Sequence, residues 1–199
     1  MSDVMFSPSV RSVQARRGSR ARFEARAEWP DRISPELAEF VAAQTSFFLS
    51  TASADGQPYV QHRGAPPGFL RVLDGETLGF ADFRGNRQFI TLGNLAENPK
   101  AFLFLIDYAQ RRRIKLWGEA RVVEDDPALL EALRPADYKA IPEQAILFRL
   151  RAWDVNCQQH IPQRFEAKDV AAALALRDRR ISALEEEVAR LTLARVVGP

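Results

Sequence analysis

Two Asp-Gly dipeptides limit what this chain can fold into. Asp55-Gly56 stands between the apolar, β-prone run Phe47–Ala52 and the run Tyr59–Arg63, and Asp74-Gly75 stands between Phe69–Leu73 and Thr77–Ala81. A short Asp-Gly link between such runs is a strong local signal for a β-hairpin, because the favoured turns need residues that tolerate positive φ. Pro66-Pro67-Gly68 forces a loop between the two hairpins. Three further runs read as strands: Ala101–Ile106, Ile114–Val123 and Ala145–Trp153, with Gln110–Arg113 turning the chain between the first two. In the second of these, Ile114, Leu116 and Gly118 alternate with Lys115, Trp117 and Glu119. Six short strands, mostly joined as hairpins, predict an antiparallel β-barrel.

Helical signals surround this unit. Ser34-Pro35 reads as a cap followed by a first-turn proline, and Leu37, Phe40 and Val41 then share one helix face. Asn86–Leu95 carries Phe89, Ile90, Leu92 and Leu95 at near-helical spacing and is closed by Asn98-Pro99, which predicts a helix across one end of the barrel. Asp126-Pro127 opens a short helix to Leu133. In the tail, Val170, Leu174, Arg177, Ile181, Leu184, Val188 and Leu191 follow alternating steps of three and four, a heptad seam interrupted by Arg177. A strip so narrow needs a partner, either the barrel or the same helix of a second subunit. The expected division is a polar, arginine-rich arm over 1–32, a barrel domain over 33–165 and a helix over 166–199.

The chain has 199 residues, enough for one sizeable domain. No apolar run approaches the roughly 18–20 residues of a membrane span. There is no apolar leader segment and a single cysteine, Cys157, so a reducing, cytoplasmic setting is expected. A net charge of +2 excludes general polyanion binding, but the positive charge is grouped, at Arg11–Arg26, Arg63–Arg87 and Arg111–Arg113. Such groups suit phosphate or carboxylate. No nucleophile elbow, zinc-protease helix, cysteine pair or phosphate-binding loop of the nucleotidase type is present. With only His62 and His160 as histidines, no metal site is expected, and these two are the candidate catalytic side chains. An enzyme so short of reactive groups borrows its chemistry from a cofactor.

The order of a strand, a DG hairpin, PYVQHRG, a strand, FADFRGNR, a helix, NP, an apolar strand and WGEARV resembles the flavin-binding split barrel of the pyridoxamine 5′-phosphate oxidase family, over roughly Phe40–Trp153. The resemblance implies a mainly β (β+α), six-stranded antiparallel split barrel with peripheral helices and a C-terminal helix. It also implies FMN at a homodimer interface and a small-molecule substrate or electron donor. Its most specific part is Gly79–Arg87, similar to the family segment that holds the FMN phosphate; there Asn86 and Arg87 match the basic pair, and Gly85 stands where serine is frequent. Ala81, Asp82 and Arg84 belong to the same segment. Gln61-His62-Arg63 resembles the strand along the flavin ring, and Arg113 matches a polar flavin contact on a later strand. Arg87, with Arg63 or Arg84, would clamp the phosphate. The lysine-bearing strand of the vitamin B6 enzyme is replaced by QHRGAPPG, and its substrate-gripping C-terminal element by Asn156–Arg164, so vitamin B6 synthesis is not implied.

Other readings of the same residues stand beside these. Asp82 reads as the N-cap of the helix that follows it, Trp117 as packing or interface, and Asn156–Arg164 as a lid or a strap. The functional alternatives are a flavin or tetrapyrrole carrier or sensor without turnover, and a nucleic-acid-binding barrel that uses its arginine arm.

Overall fold

The computed structural model describes residues 4–25 and 29–197; Arg26, counted above with the basic arm, lies outside them. It comprises two compact units, one of residues 1–107 with 112–159, the other of residues 108–111 with 160–199.

The first unit is built on seven antiparallel strands: β1 (Ser46–Ala52), β2 (Pro58–Gly64), β3 (Arg71–Val72), β4 (Thr77–Phe83), β5 (Lys100–Asp107), β6 (Arg112–Val123) and β7 (Pro142–Val155). They form one sheet in the order β2-β1-β5-β6-β7-β4-β3. One more strand is present than the sequence predicts, because the predicted run Phe69–Leu73 contributes only the two-residue β3. Phe69 and Leu70 are instead buried in the core.

The first Asp-Gly turn forms as expected. Gly56 adopts φ 90°, and its amide donates to Ser53 O at 3.0 Å. In the second, Asp74 works through its side chain: Oδ1 accepts from the amides of Glu76 at 2.7 Å and Thr77 at 2.8 Å. The first backbone hydrogen bond from Glu76 is the main reason that the Asp74 carboxyl titrates below its ordinary range.

The sheet does not close through backbone hydrogen bonds, since β2 and β3 are its edges. Side chains close it instead. Phe47 on β1 and Phe80 on β4 meet edge to face at 5.1 Å, and Arg63 on β2 pairs with Asp82 on β4. Inside lie Phe47, Leu49, Leu78, Phe80, Leu103, Leu116 and Phe148, each at most 1 % exposed. Burying each such side chain is worth about 1.5–3 kcal/mol. Helix α3 (Pro35–Ala43), capped by Ser34 Oγ on the Leu37 amide, adds Leu37, Phe40 and Val41 to this core. In β6 a bulge at Trp117/Gly118 breaks the register with β7. A Cβ at Gly118 would lie 2.2 Å from Arg149 O, so only glycine fits this approach.

The arm preceding α3 holds two helices that the sequence reading did not predict, α1 (Pro8–Arg16) and α2 (Arg20–Glu24). Helix α4 runs Ile90–Glu97, not Asn86–Leu95. Its predicted first turn is a loop, because Arg87 (φ 59°) and Phe89 (φ 55°) are left-handed, a conformation no right-handed helix accommodates. Helix α5 (Pro127–Leu133) starts where predicted, with the Asp126 side chain accepting from the Leu129 amide.

The second unit is dominated by α6, Ala167–Val197, in which every side chain described is exposed. Among the described residues no helix is long and apolar enough to cross a membrane, and no group of His, Cys, Asp or Glu is placed to hold a metal ion.

Candidate functional site

The site lies where the sheet is closed by side chains. Beyond the short pairing with β3, the end of β4 faces β2 across a gap. Alternation along β2 decides what enters it. Register with β1 puts Tyr59, Gln61 and Arg63 on the face of Thr51, Leu49 and Phe47, the inner face, while Val60 and His62 fall on the outer face with Ser50 and Phe48. Arg63 and Asp82 are nearly buried, their side chains 13 % and 7 % exposed. The second oxygen of Asp82 accepts from Gln144 Nε2 on β7. Both carboxylate oxygens are thus occupied, whereas Arg63 Nε is buried without a hydrogen-bond partner. A buried unpartnered donor on a charged group is costly and marks a place where a further acceptor would be favourable.

Helix α4 closes one end of the gap. Thr91 Oγ1 donates to Gln61 Oε1 at 2.8 Å, and Asn94 Nδ2 donates to Thr51 Oγ1 at 3.0 Å. The first turn of α4 carries no acidic residue and no side-chain cap, so its amide end faces the gap uncompensated. The loop before it brings in Asn86, whose Oδ1 accepts from the Gln88 amide at 3.2 Å, and Arg87, whose guanidinium lies 5.3 Å from the Phe89 ring. Glu143 at the start of β7 is the opposing charge: its Oε1 is 3.0 Å from Arg84 Nε and 3.7 Å from Arg87 Nη1. The enclosed space is about 40 Å³, far below the ~300–1,000 Å³ of a typical small-molecule pocket. One chain thus offers a basic notch with a helix terminus, suited to a small anionic group.

Residues 33–160 match the family profile described as pyridoxamine 5′-phosphate oxidase, well over half of the chain. The chain belongs to the pyridoxamine 5′-phosphate oxidase family. Among solved structures it is similar to HupZ from Group A Streptococcus, with 17% identity and TM-score 0.52 over 67% of this chain and 99% of that one. It also resembles an FMN-binding protein from Syntrophomonas wolfei, with 14% identity and TM-score 0.45 over 73% and 97%. A third is HutZ, the heme storage protein of Vibrio cholerae, with 21% identity and TM-score 0.40 over 62% and 94%. No curated protein sequence matches the chain. The HupZ likeness speaks for the fold alone.

Of the positions that the family resemblance assigns to flavin, the notch gathers Gln61, Arg63, Asp82, Asn86 and Arg87. Asp82 is not the cap of α4: it sits within β4, and the cap position falls to Phe89. Arg84 reaches the notch only through Glu143. Ala81 is buried on the other side of β4, against Leu133 and Ala145. His62 packs edge-on to Phe48 at 5.6 Å on the outer face. Arg113 shares that face by register, through Ile106 and Lys115; its Nη2 donates to Cys157 O at 3.4 Å and its Nε is buried without a partner. His160 belongs to the second unit and is exposed, with φ 62°. A single chain therefore splits the expected set between the two faces of β2. The sequence reading missed Tyr59, Thr91, Glu143 and Gln144, which line the notch. Tyr59 alone was legible, since it shares the period-two face of Gln61 and Arg63.

Proposed function

We propose that the chain is an FMN-dependent oxidoreductase acting as a homodimer, with the flavin phosphate in the notch between β2 and β4 and the flavin at the subunit interface. The observation that carries this reading is the nearly buried Arg63, whose Nε lacks a partner beside the uncapped amide end of α4. A phosphate monoester brings about −1.5 to −2 charge and three acceptor oxygens, which suits this donor set. Glu143 opposes it. However, its partners Arg84 and Arg87 are 51 % and 57 % exposed, and ion pairs that open to solvent are weak, so both guanidiniums are free to turn to a stronger anion. Flavin supplies the hydride chemistry that none of these side chains provides. Arg63 and Arg87 would hold the phosphate, Asn86 and the α4 amides would orient it, and Gln61 would hold the chain of contacts to Thr91.

The notch is too small for a flavin ring, which points to a second surface. The outer face, with half-buried Phe48 and Phe104 beside His62 and Arg113, supplies an aromatic wall, and pairing of two copies would bring one chain's wall to the other's notch. A cytoplasmic setting accords with the one free, exposed cysteine.

A second reading, flavin or tetrapyrrole binding without turnover, is favoured by one observation: neither described histidine lines the notch, so nothing there titrates near neutrality to move protons. Purification and visible spectroscopy test both. A yellow protein that releases FMN on denaturation, is reduced by a nicotinamide nucleotide and is reoxidised by a substrate supports the first reading. Bound flavin without turnover supports the second. A colourless protein that takes up no FMN on titration refutes the phosphate assignment.

A further inference from the structure

We infer that α6 forms a parallel, two-stranded coiled coil with the same helix of a second copy of this chain. The inference is independent of the flavin reading. Over Ala167–Val197 the helix leaves a continuous apolar seam uncovered: Val170, Leu174, Ile181, Leu184, Val188 and Leu191 are 43–61 % exposed. Set in heptads, Leu174, Ile181 and Val188 occupy a positions, and Val170, Leu184 and Leu191 occupy d positions. β-Branched a residues with leucine at d favour two parallel strands. The second copy is thus indicated by the identity of the seam residues as well as by their spacing.

Charge decides the direction. The seam is flanked by Asp178 and Glu185 at e and by Arg180 and Glu187 at g. In a parallel, in-register pair each g residue meets the e residue of the partner's next heptad. Arg180 then meets Glu185, twice by symmetry, and Glu187 meets the neutral Thr192. An antiparallel pair that overlaps the same seam also joins Arg180 to Glu187, but it sets Asp178 against Glu185, like against like, twice. The one polar seam residue gives the same answer. Arg177, at d, meets its own copy in a single layer of the parallel pair, near Asp178, whose Oδ1 lies 3.4 Å from Arg177 Nη2. Antiparallel pairing would set Arg177 against Val188 in two layers. A polar residue at one seam position fixes register at some cost in stability; a slip of one heptad would drive Arg177 against Leu184 and leave an apolar layer unmatched.

Cross-linking of the full-length protein tests this. Cys157 is exposed and is first replaced, as Cys157→Ser. Leu184→Cys at d then places two thiols across the seam in every parallel, in-register pair, and Glu186→Cys at f places them on opposite outer faces. Both sites are exposed in the single chain, so neither change disturbs its core. On mild oxidation Leu184→Cys should run as a covalent dimer on a non-reducing gel, and Glu186→Cys should remain a monomer. Val188→Cys, an a position, should behave as Leu184→Cys does. If neither seam cysteine cross-links, or if position 186 cross-links as readily as 184, the parallel coiled coil is wrong.

Discussion

Removing Arg63 should destabilise the protein far more than an ordinary surface change, because the Arg63–Asp82 pair joins two strands that share no backbone hydrogen bonds. Arg63→Met leaves the Asp82 carboxylate, 7 % exposed, with only Gln144 as donor. Breaking one side of a buried ion pair costs about 3–5 kcal/mol, a large part of a total stability of about 5–15 kcal/mol. Asp82→Asn leaves the opposite defect, a buried guanidinium that already has one unpartnered donor. The double variant, Arg63→Met with Asp82→Asn, keeps an amide acceptor for Gln144 and removes both charges. It should cost less than the sum of the single changes by about 2–3 kcal/mol, the upper range of coupling for residues in direct contact. Urea unfolding followed by circular dichroism on the flavin-free protein gives the four stabilities of the cycle. Additive effects, or a loss under about 1 kcal/mol for Arg63→Met, would show that this pair does not hold the gap closed. The double variant also separates structure from binding: it should fold yet take up FMN poorly. Unchanged FMN affinity would remove Arg63 from the phosphate site while leaving its structural role intact.

Three further outcomes are expected. Arg87→Ala should weaken FMN binding about tenfold or more, the worth of a charge-assisted contact of roughly 1.5–3 kcal/mol, while Arg111→Ala leaves it nearly unchanged; equal losses in a fluorescence titration would misplace the phosphate. Gly118→Ala should destabilise by at least about 1–3 kcal/mol, since its Cβ would meet Arg149 O at 2.2 Å and Phe148 Cζ at 2.6 Å, and an unchanged melting temperature would deny the close approach. Asp74 has its folded-state pKa lowered by the Glu76 amide, so its stabilisation is complete above the unfolded value of about 3.9 and is lost as pH falls through the folded one. The stability gap between wild type and Asp74→Asn should therefore be widest near neutrality and shrink on acidification below about pH 4; a gap independent of pH would refute it.

The strands were legible because period-two alternation and Asp-Gly turns are local. The first hairpin, the long β6 and the start of β7 follow from such signals almost to the residue. Helices α3 and α5 announced themselves by Ser34-Pro35 and Asp126-Pro127. Ser7-Pro8 starts α1 in the same way, with the Ser7 hydroxyl accepting from the Val10 amide at 3.3 Å. That signal was present but was outweighed by the weak periodicity of the arm. The start of α4 was misread because Phe89 and Ile90 fit a helical spacing that the left-handed Arg87 and Phe89 interrupt, and no local rule assigns positive φ to such residues. The site was half legible. Family resemblance and alternation named Gln61, Arg63 and Arg87. The pairing of Asp82 with Arg63, 19 positions away, and with Gln144, 62 positions away, depends on how the sheet curls, as does the arrival of Glu143 beside Arg84 and Arg87.

The alternation of β2 has an evolutionary consequence. One added or lost residue in the turn between β1 and β2, with strand pairing kept, would exchange the faces of the whole strand. It would carry His62 into the gap and Arg63 out of it, and strand Asp82 without its cation. Two residues would restore the parity. Descendants of this chain that keep the Arg63–Asp82 closure should therefore vary the length of the Ser53–Gln57 turn in even steps, so that what looks like a freely variable surface loop is constrained in arithmetic though not in composition.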